Sequence, residues 1–262
     1  MDLELPRVMG HRGAAAWAPE NTLASIQKAA DLGATWVEFD VMLTGDGRPV
    51  LFHDDNLKRL TGLDALMART PYSRVKGLDA GRWFSPIFAG EPVPTLDAAL
   101  DLVWDLGLDA NIEIKSTPGR DVETAQAALD VVAAGLGRRR RPPMISSFSR
   151  MSLAAARVLR PDWPRALIAF KVPSDWQTAL EALGCASFHL SSKVLNPPFV
   201  AEIKRAGYLV AAFTVNQKRR ARELIASEVD CLISDAPDRI ATAIATLDGE
   251  DGPASAVRQA GR

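Results

Sequence analysis

Short apolar segments recur along this chain at residues 7–11, 36–43, 110–115, 144–148, 165–170, 186–191, 209–215 and 230–234, with alanine-rich helical stretches between them. Strands that alternate with helices pair in parallel, because each helical crossover returns the chain to the same end of the sheet. Eight such units within 262 residues predict an α/β fold closed into a TIM (β/α)8 barrel, as one domain over residues 1–247. An open doubly wound sheet is the alternative. No Gly-x-Gly-x-x-Gly turn follows the first segment, which weakens that alternative without excluding it.

Local signals support the alternation. Asn21 or Thr22 caps the first helix, Leu23, Ile26 and Ala30 repeat on its buried side, and Gly33 supplies a left-handed stop. An insertion over about residues 55–92, containing Asp79-Ala80-Gly81-Arg82-Trp83-Phe84, interrupts the pattern. In a barrel an excursion of this length covers the catalytic mouth. The run Arg138–Arg141 before Pro142-Pro143 reads as a solvated helix end. Residues 248–262 have no sustained apolar face and are expected to form a disordered tail.

The second strand carries two acids. Residues 36–43 alternate Trp36, Glu38, Asp40 and Met42 with Val37, Phe39, Val41 and Leu43, so Glu38 and Asp40 share one face. The turn Gly45-Asp46-Gly47-Arg48 is too short for a parallel crossover, and residues 49–53 are expected to return antiparallel beside residues 40–44. That register sets His53 opposite Asp40, with Cβ atoms roughly 5 Å apart. A slip by one residue turns His53 to the other face.

Composition narrows the partners. A net charge of -1 provides no general field for nucleic acid or an anionic membrane, so the expected partner is a small molecule. The N-terminal Met1–Pro6 carries two acids and no apolar leader or spanning segment, which predicts a cytoplasmic protein without stable membrane insertion. Cys185 and Cys231 have neither metal-ligand spacing nor disulfide-scaffold density, and read as buried, reduced thiols. Oligomeric state leaves no mark in the sequence.

In Asn111-Ile112-Glu113-Ile114-Lys115 the polar residues alternate with isoleucine, placing Glu113 and Lys115 on the inward face of a strand. Catalytic residues of a barrel come from the C-terminal strand ends, and Glu38, Asp40, Glu113, Lys115 and the strand-ending His11-Arg12 all fit that rim. Three carboxylates drawn together repel one another, and a bound divalent cation relieves the repulsion. Oxygen-only ligation selects magnesium, calcium or manganese over zinc. A zinc or binuclear hydrolase needs more histidines than His11, His53 and His189, and no His-x-His occurs.

Two blander assignments compete with this one. The acids could form a salt-bridge network with Arg12 and Lys115 that merely seals the mouth, but buried charge without a function is uncommon. Lys115 could form a Schiff base, but neighbouring Glu113 favours its charged form. His11 and His53 each emerge from apolar residues beside a charged one. Beside a carboxylate-bound metal, two such histidines divide acid and base work at neutral pH, each step contributing about 10²–10⁴ in rate. His189 lacks charged company and reads as a lining or packing residue.

With these residues assembled, the sequence resembles the glycerophosphodiester phosphodiesterase family, in its cytosolic bacterial branch. The likeness runs through His11-Arg12-Gly13, Pro19-Glu20-Asn21-Thr22, Glu38-Phe39-Asp40-Val41, His53-Asp54-Asp55, Asp79-Ala80-Gly81, Ile112-Glu113-Ile114-Lys115, Thr214-Val215-Asn216 and Ile233-Ser234-Asp235. The resemblance implies a phospholipase C-like barrel with a small insertion over its mouth. It also implies hydrolysis of glycerophosphodiesters, such as glycerophosphocholine or glycerophosphoethanolamine, to glycerol 3-phosphate and an alcohol.

Residue by residue, the resemblance makes Glu38, Asp40 and Glu113 ligands of one divalent cation, Mg2+ or Ca2+, with Mn2+ as a third option. His11 and His53 become the acid/base pair, while Arg12 and Lys115 hold phosphate oxygens. Glu20 becomes a further site residue near metal or substrate, while Asn21 reads as a helix cap. Phe213 stands where the family often has tryptophan and keeps an aromatic wall. Trp83 and Phe84 either cover the alcohol side of the substrate or pack the insertion. The nucleophile is either the substrate glycerol's 2-hydroxyl, giving a cyclic phosphate, or water. A lysophospholipid phosphodiesterase and a catalytically silent phosphodiester-binding barrel are the competing functions.

Overall fold

The computed structural model describes residues 3–138 and 142–250, the side chains of 138 and 246–250 excepted. The chain runs through β1 (Val8–Gly10), α1 (Leu23–Asp31), β2 (Trp36–Leu43), β3 (Pro49–Leu51), α2 (Lys58–Thr61), α3 (Tyr72–Val75), α4 (Leu96–Asp105) and β4 (Asp109–Ile114). It continues through α5 (Asp121–Gly135), β5 (Met144–Ser147), α6 (Arg150–Leu159), β6 (Arg165–Ala169), α7 (Trp176–Leu183), β7 (Ser187–Ser191), α8 (Pro197–Arg205), β8 (Leu209–Phe213), α9 (Lys218–Ala226), β9 (Cys231–Ser234) and α10 (Pro237–Glu250).

The sheet order is β1-β9-β8-β7-β6-β5-β4-β2-β3, and an additional β1–β2 pairing closes it. Every pairing is parallel except β2 with β3. The molecule is therefore a TIM barrel of eight parallel strands, with β3 appended to β2. Alternate residues of β2 and β4 divide as period two requires: Val37, Phe39, Val41, Ile112 and Ile114 join the shell packed against the helices. Glu38, Asp40, Asn111 and Glu113 are left for the interior, whose floor is Met9, Trp36, Met144, Ala166, Ala211 and Cys231.

The first βα turn shows why the chain must be glycine-rich there. A Cβ on Gly10 would stand 2.2 Å from the Gly13 carbonyl oxygen, and one on Gly13 would stand 2.4 Å from Ser25 Oγ. Arg12 and Gly13 both adopt positive φ, +51° and +87°, so the chain folds back sharply at the strand end. Thr22, not Asn21, caps α1, its side chain accepting from the Ser25 N–H. Gly33 takes the left-handed conformation expected of the stop.

Two boundaries differ from the sequence expectation. Thr44 N–H donates to the Arg48 carbonyl and Leu43 pairs with Pro49, so the hairpin loop is Gly45-Asp46-Gly47 and the ladder is one residue out of the expected register. Phe52 rather than His53 stands opposite Asp40, its N–H donating to the Asp40 carbonyl. The cause lies in the turn: Gly47 sits at φ +83°, while Thr44 Oγ1 donates to Asp46 and accepts from the Arg48 N–H, a pattern suited to a three-residue loop. Helix α10 extends through Glu250, into the stretch read as a tail. The remainder of that tail and Arg139–Arg141 lie outside the described residues.

The insertion has its own small core of Leu57, Leu60, Met67, Val75, Ala80 and Val93, packed against Met42, Val50 and Phe52 of the hairpin. Cys185 and Cys231 are buried and free. No helix among the described residues is long and apolar enough to cross a membrane.

Candidate active site

Two strand ends converge at the mouth. Glu38 and Asp40 from β2 and Glu113 from β4 offer carboxylate oxygens that all lie within 4.8 Å of one another. The parallel register places Asp40 beside Glu113, which is why two separate strands deliver one cluster. All three are buried, Asp40 at 1% exposure. Burial and repulsion from Asp40 and Glu113 push Glu38 well above the usual carboxylate range. Burial and Asp40 likewise raise Glu113 to about 7. Burial also opposes ionisation of Asp40, yet Lys115, Arg12 and His53 hold its pKa at about 2.

Two cations lie directly against this cluster. Lys115 Nζ is 2.8 Å from Glu113 Oε1 and 3.3 Å from Asp40 Oδ1, and Arg12 Nε is 3.2 Å from Asp40 Oδ2. The Arg12 backbone N–H donates to Glu38 Oε2 at 2.9 Å. Glu38 Oε1 is buried with no hydrogen-bond partner among the described residues. Carboxylates alone, mutually repelling and with an oxygen unspent, form a donor set that fits a hard divalent cation. The triad is thus able to hold such an ion.

Both candidate histidines carry a carboxylate on Nδ1. His11 lies 2.6 Å from Asp235 Oδ1 and, through Nε2, 3.9 Å from Glu38 Oε2. His53 lies 2.7 Å from Asp54 Oδ1. Although it has left the β2–β3 ladder, His53 and Asp40 still act on each other electrostatically. Burial, reinforced by the charges of Arg12 and Lys115, lowers the His53 pKa against the pull of Asp40 and Asp54.

The remaining expected residues divide. Glu20 does not join the carboxylate triad. It bridges Arg12 Nη1 at 2.6 Å and Arg59 Nη2 at 2.8 Å. Trp83 is 42% exposed, donates its indole N–H to the Ala80 carbonyl and lies under the Arg59 guanidinium. Phe84 packs within the insertion against Trp83 and Phe88. Phe213 meets Phe148 and Phe170 in an aromatic cluster, with ring centroids 4.7–5.9 Å apart. Lys115 Nζ stands 6.0 Å from the Phe148 ring, so this cluster adjoins the acidic centre.

Beneath the triad, a cavity of about 30 Å3 is lined by His11, Glu38, Asn111, Glu113, Ile168, His189, Phe213 and Ile233. His189 is fully buried, both ring nitrogens lack partners among the described residues, and burial holds its pKa at about 3. It is a neutral lining residue, as its apolar sequence neighbours indicate. On the other side of His11 opens a cleft of about 460 Å3 lined by Arg12, Glu20, Asn216, Asp235 and Arg239 among others.

Four residues make contacts at the site that the sequence does not show. Asn21 does more than lie beside the cap, because its amide spans both the side chain and the backbone N–H of Asp40. Asp54 and Asp235 orient the histidines, and Arg59 joins Asp54 to Glu20. Their motif strings were visible, but the contacts join residues as far apart as 224 positions. Only the adjacency of Asp54 to His53 offered a local signal.

Comparison with known proteins agrees with this geometry. The family model for the glycerophosphoryl diester phosphodiesterase family matches residues 11–239. The chain is 32% identical over 240 residues to a glycerophosphodiester phosphodiesterase of Caldanaerobacter subterraneus subsp. tengcongensis, covering 89% of this chain and 95% of the relative. A glycerophosphodiester phosphodiesterase of Bacillus subtilis is also 32% identical, covering 88% and 83%. Among solved structures, an Oleispira antarctica phosphodiesterase in complex with the product sn-glycerol-3-phosphate superposes with a TM-score of 0.88 at 40% identity, covering 92% of this chain and 97% of that one. A matched family model, relatives spanning nearly the whole barrel and an acidic mouth built from the matched residues establish that this chain belongs to the glycerophosphoryl diester phosphodiesterase family.

Proposed function

We propose that this chain hydrolyses glycerophosphodiesters to glycerol 3-phosphate and an alcohol, with Glu38, Asp40 and Glu113 holding one divalent cation, Mg2+, Ca2+ or Mn2+. The observation that carries the reading is the buried triad of mutually repelling carboxylates with Arg12 and Lys115 against it. A bound cation would neutralise phosphate oxygens as charge builds in the transition state. Arg12 and Lys115 share that task from the protein side.

His53 is the base. Its depressed pKa keeps it neutral at pH 7, and Asp54 on Nδ1 leaves Nε2 free to accept a proton. His11 is then the acid, with Asp235 fixing Nδ1 and Nε2 turned toward the centre. The cleft bounded by Arg12, Glu20 and Asn216 accommodates the polar glycerol half. The cluster of Phe148, Phe170 and Phe213 flanks the alcohol half, and Trp83 is held with the insertion.

The test is release of glycerol 3-phosphate from glycerophosphocholine and glycerophosphoethanolamine, first with chelator and then with magnesium, calcium or manganese restored. Turnover that disappears with chelator and returns with one of these ions is expected. Absence of metal-dependent turnover on any glycerophosphodiester leaves a silent binding barrel. Diesters lacking the glycerol 2-hydroxyl separate the two nucleophiles: a large rate loss supports intramolecular attack through proximity, and equal rates support water.

A further inference from the structure

We propose that Arg59 is a positioning residue for this hydrolysis, clamping Asp54 and Glu20 together so that His53 and Arg12 are held in one frame. The inference rests on the roles given above to His53 and Arg12. Arg59 lies in the insertion, not on a barrel strand, and the functional reading leaves it without a task.

The geometry is doubly bidentate. Arg59 Nε and Nη2 lie 2.5 and 3.0 Å from the two Asp54 oxygens, and Nη1 and Nη2 lie 2.9 and 2.8 Å from the two Glu20 oxygens. Asp54 Oδ1 also accepts from His53, and Glu20 Oε1 also accepts from Arg12. A continuous row of contacts therefore runs from the neutral His53 through the alternating charges of Asp54, Arg59, Glu20, Arg12 and Asp40. It connects the base to the metal cluster by way of a phosphate-binding arginine. Each of its carboxylates is fixed on both sides, which confines the imidazole and the Arg12 guanidinium to single orientations.

Arg59 is itself well anchored. Leu57 and Leu60, on either side of it, are buried at 0% and 2% exposure in the insertion core. The Trp83 ring lies 5.9 Å from its guanidinium carbon, a cation–π contact on a face the carboxylates do not use. Only a planar fork with five donors can serve two carboxylates in this way. A lysine ammonium is a point charge that cannot reproduce two parallel pairs.

The test measures kcat, KM and thermal stability of the full chain carrying Arg59→Ala, Arg59→Lys, His53→Ala or Arg12→Ala. Misplacement of both groups predicts a fall in kcat/KM of about 10²-fold for Arg59→Ala and, against a simple charge requirement, for Arg59→Lys as well. Added methylguanidinium is expected to recover activity in Arg59→Ala and to leave Arg59→Lys unchanged. Retained activity in both Arg59 variants, or full rescue by lysine, overturns the clamp while loss in His53→Ala and Arg12→Ala upholds the functional reading. Full activity in His53→Ala and Arg12→Ala overturns that reading and the clamp with it.

If Arg59→Ala does not fold, the cycle of Glu20→Gln, Asp54→Asn and the double variant decides the matter. Coupling through Arg59 makes their effects on kcat/KM non-multiplicative, although the two carboxylates share no direct contact. Independent effects overturn the proposal.

Discussion

The Asn21 amide grips Asp40 from two sides: its Nδ2 donates to Asp40 Oδ2 at 2.8 Å, and its Oδ1 accepts the Asp40 backbone N–H at 3.0 Å. Asn21 reaches this position through a left-handed backbone, φ +58°, which asparagine tolerates better than most residues. Glycine preserves that backbone and deletes the amide. Asn21→Gly is therefore expected to weaken divalent-cation affinity about 10–100-fold, the usual cost of losing support behind a ligand. Isothermal titration with Mn2+ measures it, and unchanged affinity would show that Asp40 is oriented by Arg12 and Lys115 alone.

Without a cation, burial of the Glu113 carboxyl and the neighbouring charge of Asp40 hold its pKa at about 7. Because the folded value lies above the unfolded one, near 4.5, the folded state binds the extra proton between those limits and stability falls as pH rises from 4.5 to 7. The full penalty is about 3 kcal/mol. Glu113→Gln removes it. In chelator the variant's melting temperature should rise relative to the parent as pH climbs through that window, while added Mn2+ should stabilise the parent and leave the variant unmoved. A pH-independent difference in chelator contradicts the account by burial and repulsion.

How much of this was readable in advance follows from the range of each interaction. The alternation of strands and helices is a local pattern, and it delivers the barrel. Glu38 and Asp40 share a face because period two is enforced within one strand, and Glu113 follows because β2 and β4 are neighbours in register. The His53 register was off by one because a three-residue and a four-residue turn differ only in the side-chain bonds of Thr44 and in the backbone of Gly47. Asp235 and Asn216 were opaque for another reason. Asp235 reaches His11, and Asn216 the other oxygen of Asp235, only when β8, β9 and β1 close the ring, and no local spacing encodes closure. The role of Arg59 depends on how the insertion folds back over the mouth, again a long-range event.

His189 should make the protein acid-sensitive. Its folded pKa of about 3 lies below the unfolded value of 6.5, so the unfolded state binds more protons in between and stability falls as pH drops below 6.5. At pH 5 the loss is about 2 kcal/mol. His189→Leu eliminates this term and also removes two buried nitrogens without partners, worth about 1–3 kcal/mol at any pH. The leucine variant should melt higher than the parent at pH 7.5, and the gap should widen toward pH 5. A constant gap would place the acid sensitivity elsewhere.

The two histidines can be told apart through their carboxylates. Replacing Asp54 by asparagine lets the new amide donate to His53 Nδ1, which forces the proton onto Nε2 and disables the base. Asp54→Asn should therefore lower kcat by about 10²–10⁴-fold whatever the leaving group. Asp235→Asn acts on the other step. There His11 keeps an Nε2 proton but becomes a poorer acid once the carboxylate 2.6 Å away no longer fixes and balances its imidazolium. Glycerophosphocholine needs its departing alkoxide protonated, whereas a p-nitrophenyl diester leaves as a stable phenolate without help. Asp235→Asn should accordingly be slow on glycerophosphocholine and recover most of its rate on the p-nitrophenyl ester, while Asp54→Asn stays slow on both. The reverse pattern would exchange the two assignments and make His11 the base.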